Sequence, residues 1–297
     1  MRTPNFLIIG AMKSATTSLY SYLSQHPDIF MTKIKEPMFF NNLHQDNKYK
    51  IKGSISKKIS TWEEYANLFN NVTSEIAIGE ASPAYLYNNK CASLIHSYLP
   101  NVKIIAVLRH PTDRAYSNFL HTRRSDRETI SDFYEALEEE EKRINNNWSP
   151  LYHYINQGYY YRQLKRYYNN FPKENIKVVL FDDLIKDPIS TLEDIFTFLD
   201  VNKDVDIDTS KKSNSSGVPF GPAGWLLKKI RKYNLMPNII LSNYLSGSII
   251  NKLFSLVYKK PPRLDSFRRK KVTKKYFNSD ILKLEKLINR DLSHWLD

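Results

Sequence analysis

Short apolar runs mark out the first two thirds of the chain. Residues 6–9 (Phe-Leu-Ile-Ile) and 104–108 (Ile-Ile-Ala-Val-Leu) are apolar throughout, as are most of 76–79 and 176–181. Uninterrupted runs of this length predict strands buried on both faces of a parallel sheet. Between them the apolar positions change to helical spacing. Leu19, Tyr22 and Leu23 follow the first run; Tyr65, Leu68 and Phe69 follow Thr61, an N-cap with Glu64 three residues on. Leu94, Ile95, Tyr98 and Leu99 stop at Pro100, and a helix from Thr112 carries Ala115, Tyr116, Phe119 and Leu120. Further helices are predicted over 131–143 (charged), 152–171 (rich in Tyr), after Asp187-Pro188, and over 281–287. Strands alternating with helices predict an α/β fold: a single domain over 1–297 with a parallel β-sheet flanked by helices and right-handed crossovers. Ligands of such sheets sit at the carboxyl ends of the strands, so the loops after Ile9 and Leu108 are the first places to search.

Two stretches depart from this texture. Residues 41–58 are polar and rich in Lys and Asn, and 211–275 begin with a Ser/Gly/Pro loop (213–224) and continue as a basic, partly apolar region. Overall the chain is ordinary globular material, 41% hydrophobic and 25% charged, which excludes a disordered protein. Its net charge of +13 calls for an anionic partner: nucleic acid, an anionic lipid surface, or a phosphate- or sulfate-bearing small molecule. The lone cysteine, Cys91, excludes an intrachain disulfide and a cysteine-held metal cluster, and points to a reducing compartment such as the cytoplasm. The N-terminal apolar run reads as a strand, not a signal peptide. The apolar stretch 235–258 is broken by Pro237, Asn243, Gly247 and Lys252, short of the ~20 predominantly apolar residues of a membrane span.

The loop Gly10-Ala11-Met12-Lys13-Ser14-Ala15-Thr16-Thr17-Ser18 lies between a strand and an amphipathic helix, where backbone N–H groups and the positive helix end favour an anion. Nucleoside-triphosphate loops carry lysine late, in Gly-Lys-Ser/Thr. Here Lys13 comes early and no Gly-Lys pair exists, which disfavours a kinase.

Lys13 to Thr17 resembles the 5′-phosphosulfate loop of sulfotransferases that use 3′-phosphoadenosine 5′-phosphosulfate (PAPS), with Ala15 where the family usually has glycine. The run from Val107 through Arg109-His110-Pro111 to Ser117 resembles that family's 3′-phosphate motif, and Lys35-Glu36-Pro37-Met38-Phe39-Phe40 and Gly79-Glu80-Ala81-Ser82-Pro83 resemble its carbohydrate, heparan-sulfate-type branch. The likeness covers nearly the whole chain and is weakest over 225–257. It implies the sulfotransferase fold, PAPS as donor and 3′-phosphoadenosine 5′-phosphate (PAP) as product, with no metal. Arg109 and Ser117 would hold the 3′-phosphate, and Ser14, Ala15, Thr16, Thr17 and Ser18 would cradle the 5′-phosphosulfate. Lys13 would stabilise the departing phosphate, and Glu36 would be the base on an acceptor hydroxyl of a sugar, glycan or small metabolite. Glu80 could face the site or pair structurally, His110 reads as a lining or packing residue more than a base, and His121 and His44 are weaker candidates for the base; one of Tyr159, Tyr160 and Tyr161 could line the acceptor site, and Lys211 or Lys212 could reach the 3′-phosphate. Animal members carry an N-terminal membrane anchor, so this chain looks like a bacterial, soluble member without nucleic-acid or transmembrane partners. A competing reading is a basic membrane- or nucleic-acid-binding protein with a degenerate nucleotide loop, carried by the region 225–275. A Cβ at Ala15 would crowd a phosphate if that position needs positive φ.

Overall fold

The computed structural model describes residues 2–43, 49, 59–210 and 263–297, with the backbone of 218–219 and 258–259. Five parallel strands form the sheet: β1 (Phe6–Gly10), β2 (Ile29–Met31), β3 (Ala77–Ala81), β4 (Lys103–Leu108) and β5 (Ile176–Leu180), in the order β2-β3-β1-β4-β5. β1 is central and buried along its whole length, as its unbroken apolar sequence requires. Its side chains alternate between two cores. Leu7 and Ile9 join Ile104, Ala106 and Leu108 on one face; Phe6 and Ile8 join Ile105 and Val107 on the other.

Helices cover both faces. On the first lie α2 (Phe39–Asn42), α3 (Trp62–Ala66), α4 (Cys91–Tyr98), α5 (Pro111–Arg124) and α8 (Tyr160–Tyr168); on the second lie α1 (Thr16–Leu23), α9 (Phe181–Lys186) and α10 (Pro188–Leu199). α6 (Phe133–Glu138) and α7 (Glu140–Asn145) pack outside α5. Near the C-terminus, α11 (Ser266–Val272) passes through a π-helical turn, Thr273–Phe277, into α12 (Asn278–Ile288), which packs on α8. α3 carries the expected capping box, Thr61 with Glu64. A buried fork, Arg143 Nη1 and Nη2 on Glu128 at 2.6 and 2.9 Å, with the Tyr154 hydroxyl donating to the same carboxylate, ties α7 to the segment after α5.

Several elements differ from the sequence reading. β2 was not foreseen: three residues behind His26-Pro27-Asp28 give too short a run to stand out. The helix expected over 131–143 breaks at Glu139 into α6 and α7. The long helix expected over 152–171 begins only at Tyr160; before it come 3-10 turns at Pro150–Tyr152 and Asn156–Gly158. There the Glu140 carboxylate takes the N–H groups of Ile155 and Asn156 at 2.5 and 2.8 Å, replacing helical bonds with a side-chain partner from a distant segment. Asp182 and Asp183 sit in the first turn of α9, which follows β5 directly, where acidic side chains suit a helix start. The stretch 235–257, the loop 213–217 and most of the basic region 211–275 lie outside the described residues. Among those described, no helix is long and apolar enough to cross a membrane.

Candidate active site

The chain runs from β1 to β2 and β3 on one side, then returns to β4 and β5 on the other. The carboxyl ends of β1 and β4 therefore flank the point where the strand order reverses, the place where open α/β sheets bind ligands. The loop after β1 lies against β4 through the Ala11 N–H, which donates to the Val107 carbonyl at 2.7 Å. Lys13 and Ala15 both take left-handed backbone, at φ 71° and 64°. For an L-residue this costs about 1–2 kcal/mol, and such strain gathers where function needs it. Ala15 is the N-cap of α1 and supplies no side-chain cap to the first N–H groups of that helix, which start at the loop. Position 15 thus does adopt the conformation for which glycine is suited, and the alanine methyl packs against the second core. Ser14, Thr16 and Ser18 are buried. Thr17 Oγ1 accepts from Lys35 Nζ at 2.5 Å, joining this loop to the one that carries Glu36.

Lys13 sits among cations. Burial, then Arg124, Arg109 and Arg114, lower its pKa from 10.5 to about 8 against the opposing pull of Glu36. Arg109, one residue past β4, donates Nη1 to the Lys13 carbonyl at 3.3 Å and stacks its guanidinium 4.7 Å from the centre of the Phe181 ring. Burial holds its pKa below the usual arginine value. Among the described residues neither Lys13 nor Arg109 has a carboxylate within ion-pair distance. Ser117, partly exposed, lies on α5 two turns beyond Arg109. Sequence reasoning missed Arg114, a fully buried cation on the same helix, held by the Tyr154 carbonyl and Gln157.

Glu36 stands in a second strained loop, at φ 57° with Met38 at 55°, and its carboxylate lies 3.8 Å from Lys35 Nζ. Its charge acts on both Lys13 and Glu80. Glu80, fully buried at the end of β3, is raised to about 7 by burial, eased by the hydroxyls of Tyr85, Ser82 and Tyr65. The Tyr65 hydroxyl donates to Oε1 at 3.3 Å, whereas Oε2 has no hydrogen-bond partner. His110 caps α5: Nδ1 accepts from the Asp113 N–H and Nε2 donates to the Trp295 carbonyl at 2.9 Å. Both ring nitrogens are thereby engaged, and burial lowers its pKa to about 4. His121 is also lowered to about 4, by burial and then by Lys13 and two arginines, which places it near the loop lysine. Tyr159 packs against Phe277, and the Tyr161 N–H donates to Asp280. Tyr160 lies fully buried between the two loops. His44, Lys211 and Lys212 lie outside the described residues. Among the described residues no cluster of His, Cys, Asp and Glu could hold a metal ion.

A cavity of about 570 Å³ opens on the β3 side of the loop, bounded by Met12, Asn88, Trp148, Gln157, Arg162 and Arg166. His153, kept neutral by burial with its pKa near 4, and Tyr87 join its wall as a hydrogen-bonded pair at 2.7 Å. Arg109 stands on the opposite flank of the loop, at the end of β4. The cavity meets the loop at Met12, the residue before Lys13; Lys13 and Glu36 do not line it.

Residues 4–205 match the model of a family described as the sulfotransferase family. The membrane-associated sulfotransferase kil1 of Dictyostelium discoideum is 25% identical, covering 67% of this chain and 56% of that protein. The human bifunctional heparan sulfate N-deacetylase/N-sulfotransferase 3 is 27% identical, covering 67% of this chain and 22% of that protein. The chain thus corresponds to little more than half of one curated relative and under a quarter of the other. A sulfotransferase crystal structure from Alicyclobacillus acidocaldarius superposes over the whole of both chains with a TM-score of 0.75 and 31% identity. The sulfotransferase domain from the curacin biosynthetic pathway, 14% identical, shares the fold with a TM-score of 0.52. A family model that spans the β1 loop, the Glu36 loop and Arg109, and a full-length structural match, agree: the chain belongs to the sulfotransferase family.

Proposed function

We propose that the whole chain, 1–297, acts as one sulfotransferase domain that moves the sulfuryl group of PAPS to an acceptor hydroxyl by in-line displacement, releasing PAP. One observation carries this reading: two cations at adjacent strand ends, Lys13 and Arg109, half-buried and without an ion-pair partner among the described residues. Cations withdrawn from water without a counter-charge are costly, and an anionic ligand offsets that cost. The residues present suit such a ligand. Arg109, a planar fork, and Ser117 would hold the 3′-phosphate; the N–H groups of Ala15 through Ser18 at the start of α1 would hold the 5′-phosphosulfate, the Ser14 N–H being given to the Ala11 carbonyl at 3.2 Å.

In this reading Lys13 balances charge gathering on the bridging oxygen as the S–O bond to the phosphate breaks. Glu36 takes the proton of the acceptor hydroxyl, whose oxygen forms the new S–O bond. Most of the acceleration comes from positioning and fixed charge, as in phosphoryl transfer. The acceptor enters through the cavity beside Met12. The amide of Asn88 and the faces of Trp148 and Tyr87 suit the hydroxyls and rings of a sugar, a glycan or a small hydroxylated metabolite. Contacts of α12 and Trp295 with α8 and α5 support one domain, and a single buried thiol, Cys91, accords with a cytoplasmic location that cell fractionation would check.

The test is calorimetric titration with PAP, AMP and ATP without added metal. Micromolar or tighter binding of PAP, with AMP at least tenfold weaker and PAP affinity lost in Arg109→Ala, is the expected result. Equal affinity for PAP and AMP would overturn the assignment of Arg109, and no binding of either would overturn the donor assignment.

A further inference from the structure

The two loops that carry Lys13 and Arg109 are held by one side chain that the reaction itself does not use. Tyr160, the first residue of α8, is fully buried, and its phenol donates to the Arg109 carbonyl at 2.9 Å. The same phenol lies beside the Ser14 hydroxyl, which is fully buried and makes no hydrogen bond of its own. Arg109 in turn donates Nη1 to the Lys13 carbonyl at 3.3 Å. These contacts close a ring: Lys13 is bonded to Ser14, Ser14 abuts Tyr160, Tyr160 holds the main chain of Arg109, and the Arg109 side chain returns to Lys13. We propose that Tyr160 is a positioning residue that locks the loop after β1 to the end of β4, so that the sites for the two phosphate groups of one nucleotide form as a single unit.

The lock is itself backed. Trp295 packs over the Tyr160 ring, centroids 6.3 Å apart, and its carbonyl accepts from His110, the residue after Arg109. Burial keeps the phenol protonated, with its pKa pushed up to about 12, so it remains a donor throughout the physiological range. Without that donor the part-buried Arg109 carbonyl loses its partner, and the main chain of Arg109 is no longer tied to α8, leaving the guanidinium held only at its tip by the Lys13 carbonyl and the Phe181 ring. A ligand touching only one loop would then cease to order the other.

This rests on the nucleotide reading above, and two measurements separate them. Tyr160→Phe keeps the ring against Trp295 and removes only the hydroxyl. Titrated with PAP and with AMP, it loses about tenfold in PAP affinity while AMP affinity changes less than about twofold, and its melting temperature stays within a few degrees of the wild type. Equal losses for both nucleotides, or no loss for either, would show that Tyr160 only packs. Hydrogen exchange reads the coupling directly: in the wild-type protein saturating millimolar AMP, which lacks the 3′-phosphate, protects the amides of residues 107–110 and 112, and Tyr160→Phe abolishes that protection. Should the variant fail to fold, absence of AMP-induced protection in the wild type refutes the lock on its own. If neither PAP nor AMP binds the wild-type protein, the donor assignment has failed and the lock with it.

Discussion

Raising the pH from 7.5 to 9 discharges Lys13, and the consequence for nucleotide binding follows from its surroundings. Burial, Arg124, Arg109 and Arg114 hold it at about 8 in place of 10.5. That displacement disfavours the ammonium by about 3 kcal/mol. In the unfolded chain the lysine keeps its proton up to 10.5, so the folded state bears the full penalty below pH 8 and is relieved of it as pH rises through 8 towards 10.5; stability gains over that window. Nucleotide binding has the opposite sign. A phosphate beside Lys13 favours the ammonium and returns its pKa towards the ordinary value, so binding takes up a proton wherever the free protein has lost one. With a free value of about 8, Lys13 is about three-quarters charged at pH 7.5 and about one-tenth charged at pH 9. PAP affinity should therefore fall about eightfold between these values, with uptake of about 0.9 proton per nucleotide at pH 9. Both phosphates of PAP are already largely ionised across this range, since their second pKa lies near 6. Calorimetry in two buffers of different ionisation heat reads affinity and proton uptake together, and Lys13→Met should show neither. Wild-type affinity that is flat from pH 7.5 to 9, without proton uptake, would refute this account of the lysine's surroundings.

Three further outcomes are expected. Glu36→Gln lowers turnover roughly 100-fold or more while PAP affinity is kept, as loss of a general base requires; near-normal turnover would transfer the role to His121. Ala15→Val, which forces a β-branched residue into left-handed backbone, costs about 2 kcal/mol in urea unfolding, whereas Ala15→Gly stays within about 1 kcal/mol of wild type because relief of strain is offset by a freer unfolded chain. Arg143→Ala strands the buried Glu128 carboxylate and destabilises the fold by about 3–5 kcal/mol, measured as the shift in urea midpoint at neutral pH; a loss below about 1 kcal/mol would mean that water reaches Glu128.

What the sequence disclosed depended on whether the governing interaction was local. β1 and, from Ile104 on, β4 were legible because burial on both faces demands apolar residues throughout, β5, at the sheet edge with Lys177 half-buried, by its run Val178-Val179-Leu180, and the Thr61 box because its partners lie three residues apart. The 3-10 turns before α8 were not, since their N–H groups are answered by Glu140, a partner no local pattern announces. The loop around Lys13 and the arginine after β4 were readable as motifs at strand ends. Tyr160 was hidden within a run of three tyrosines, yet a signal existed: Tyr160, Gln163, Leu164 and Tyr167 fall at i, i+3, i+4 and i+7 and are the buried face of α8. Arg114 gave no such sign, because an arginine on a helix is usually solvated and only the tertiary fold reveals its burial.

The order β3-β1-β4 has a consequence for kinetics. Arg109 flanks the loop after the central strand on its β4 side, and the cavity bounded by Met12 lies on its β3 side. With the nucleotide on the β4 side and the acceptor on the β3 side, as proposed above, the two need not share an entrance, so each can arrive while the other is already seated. Initial-rate lines at varied donor and acceptor concentrations should then intersect and not run parallel, and each product should inhibit competitively only against the substrate whose flank it occupies.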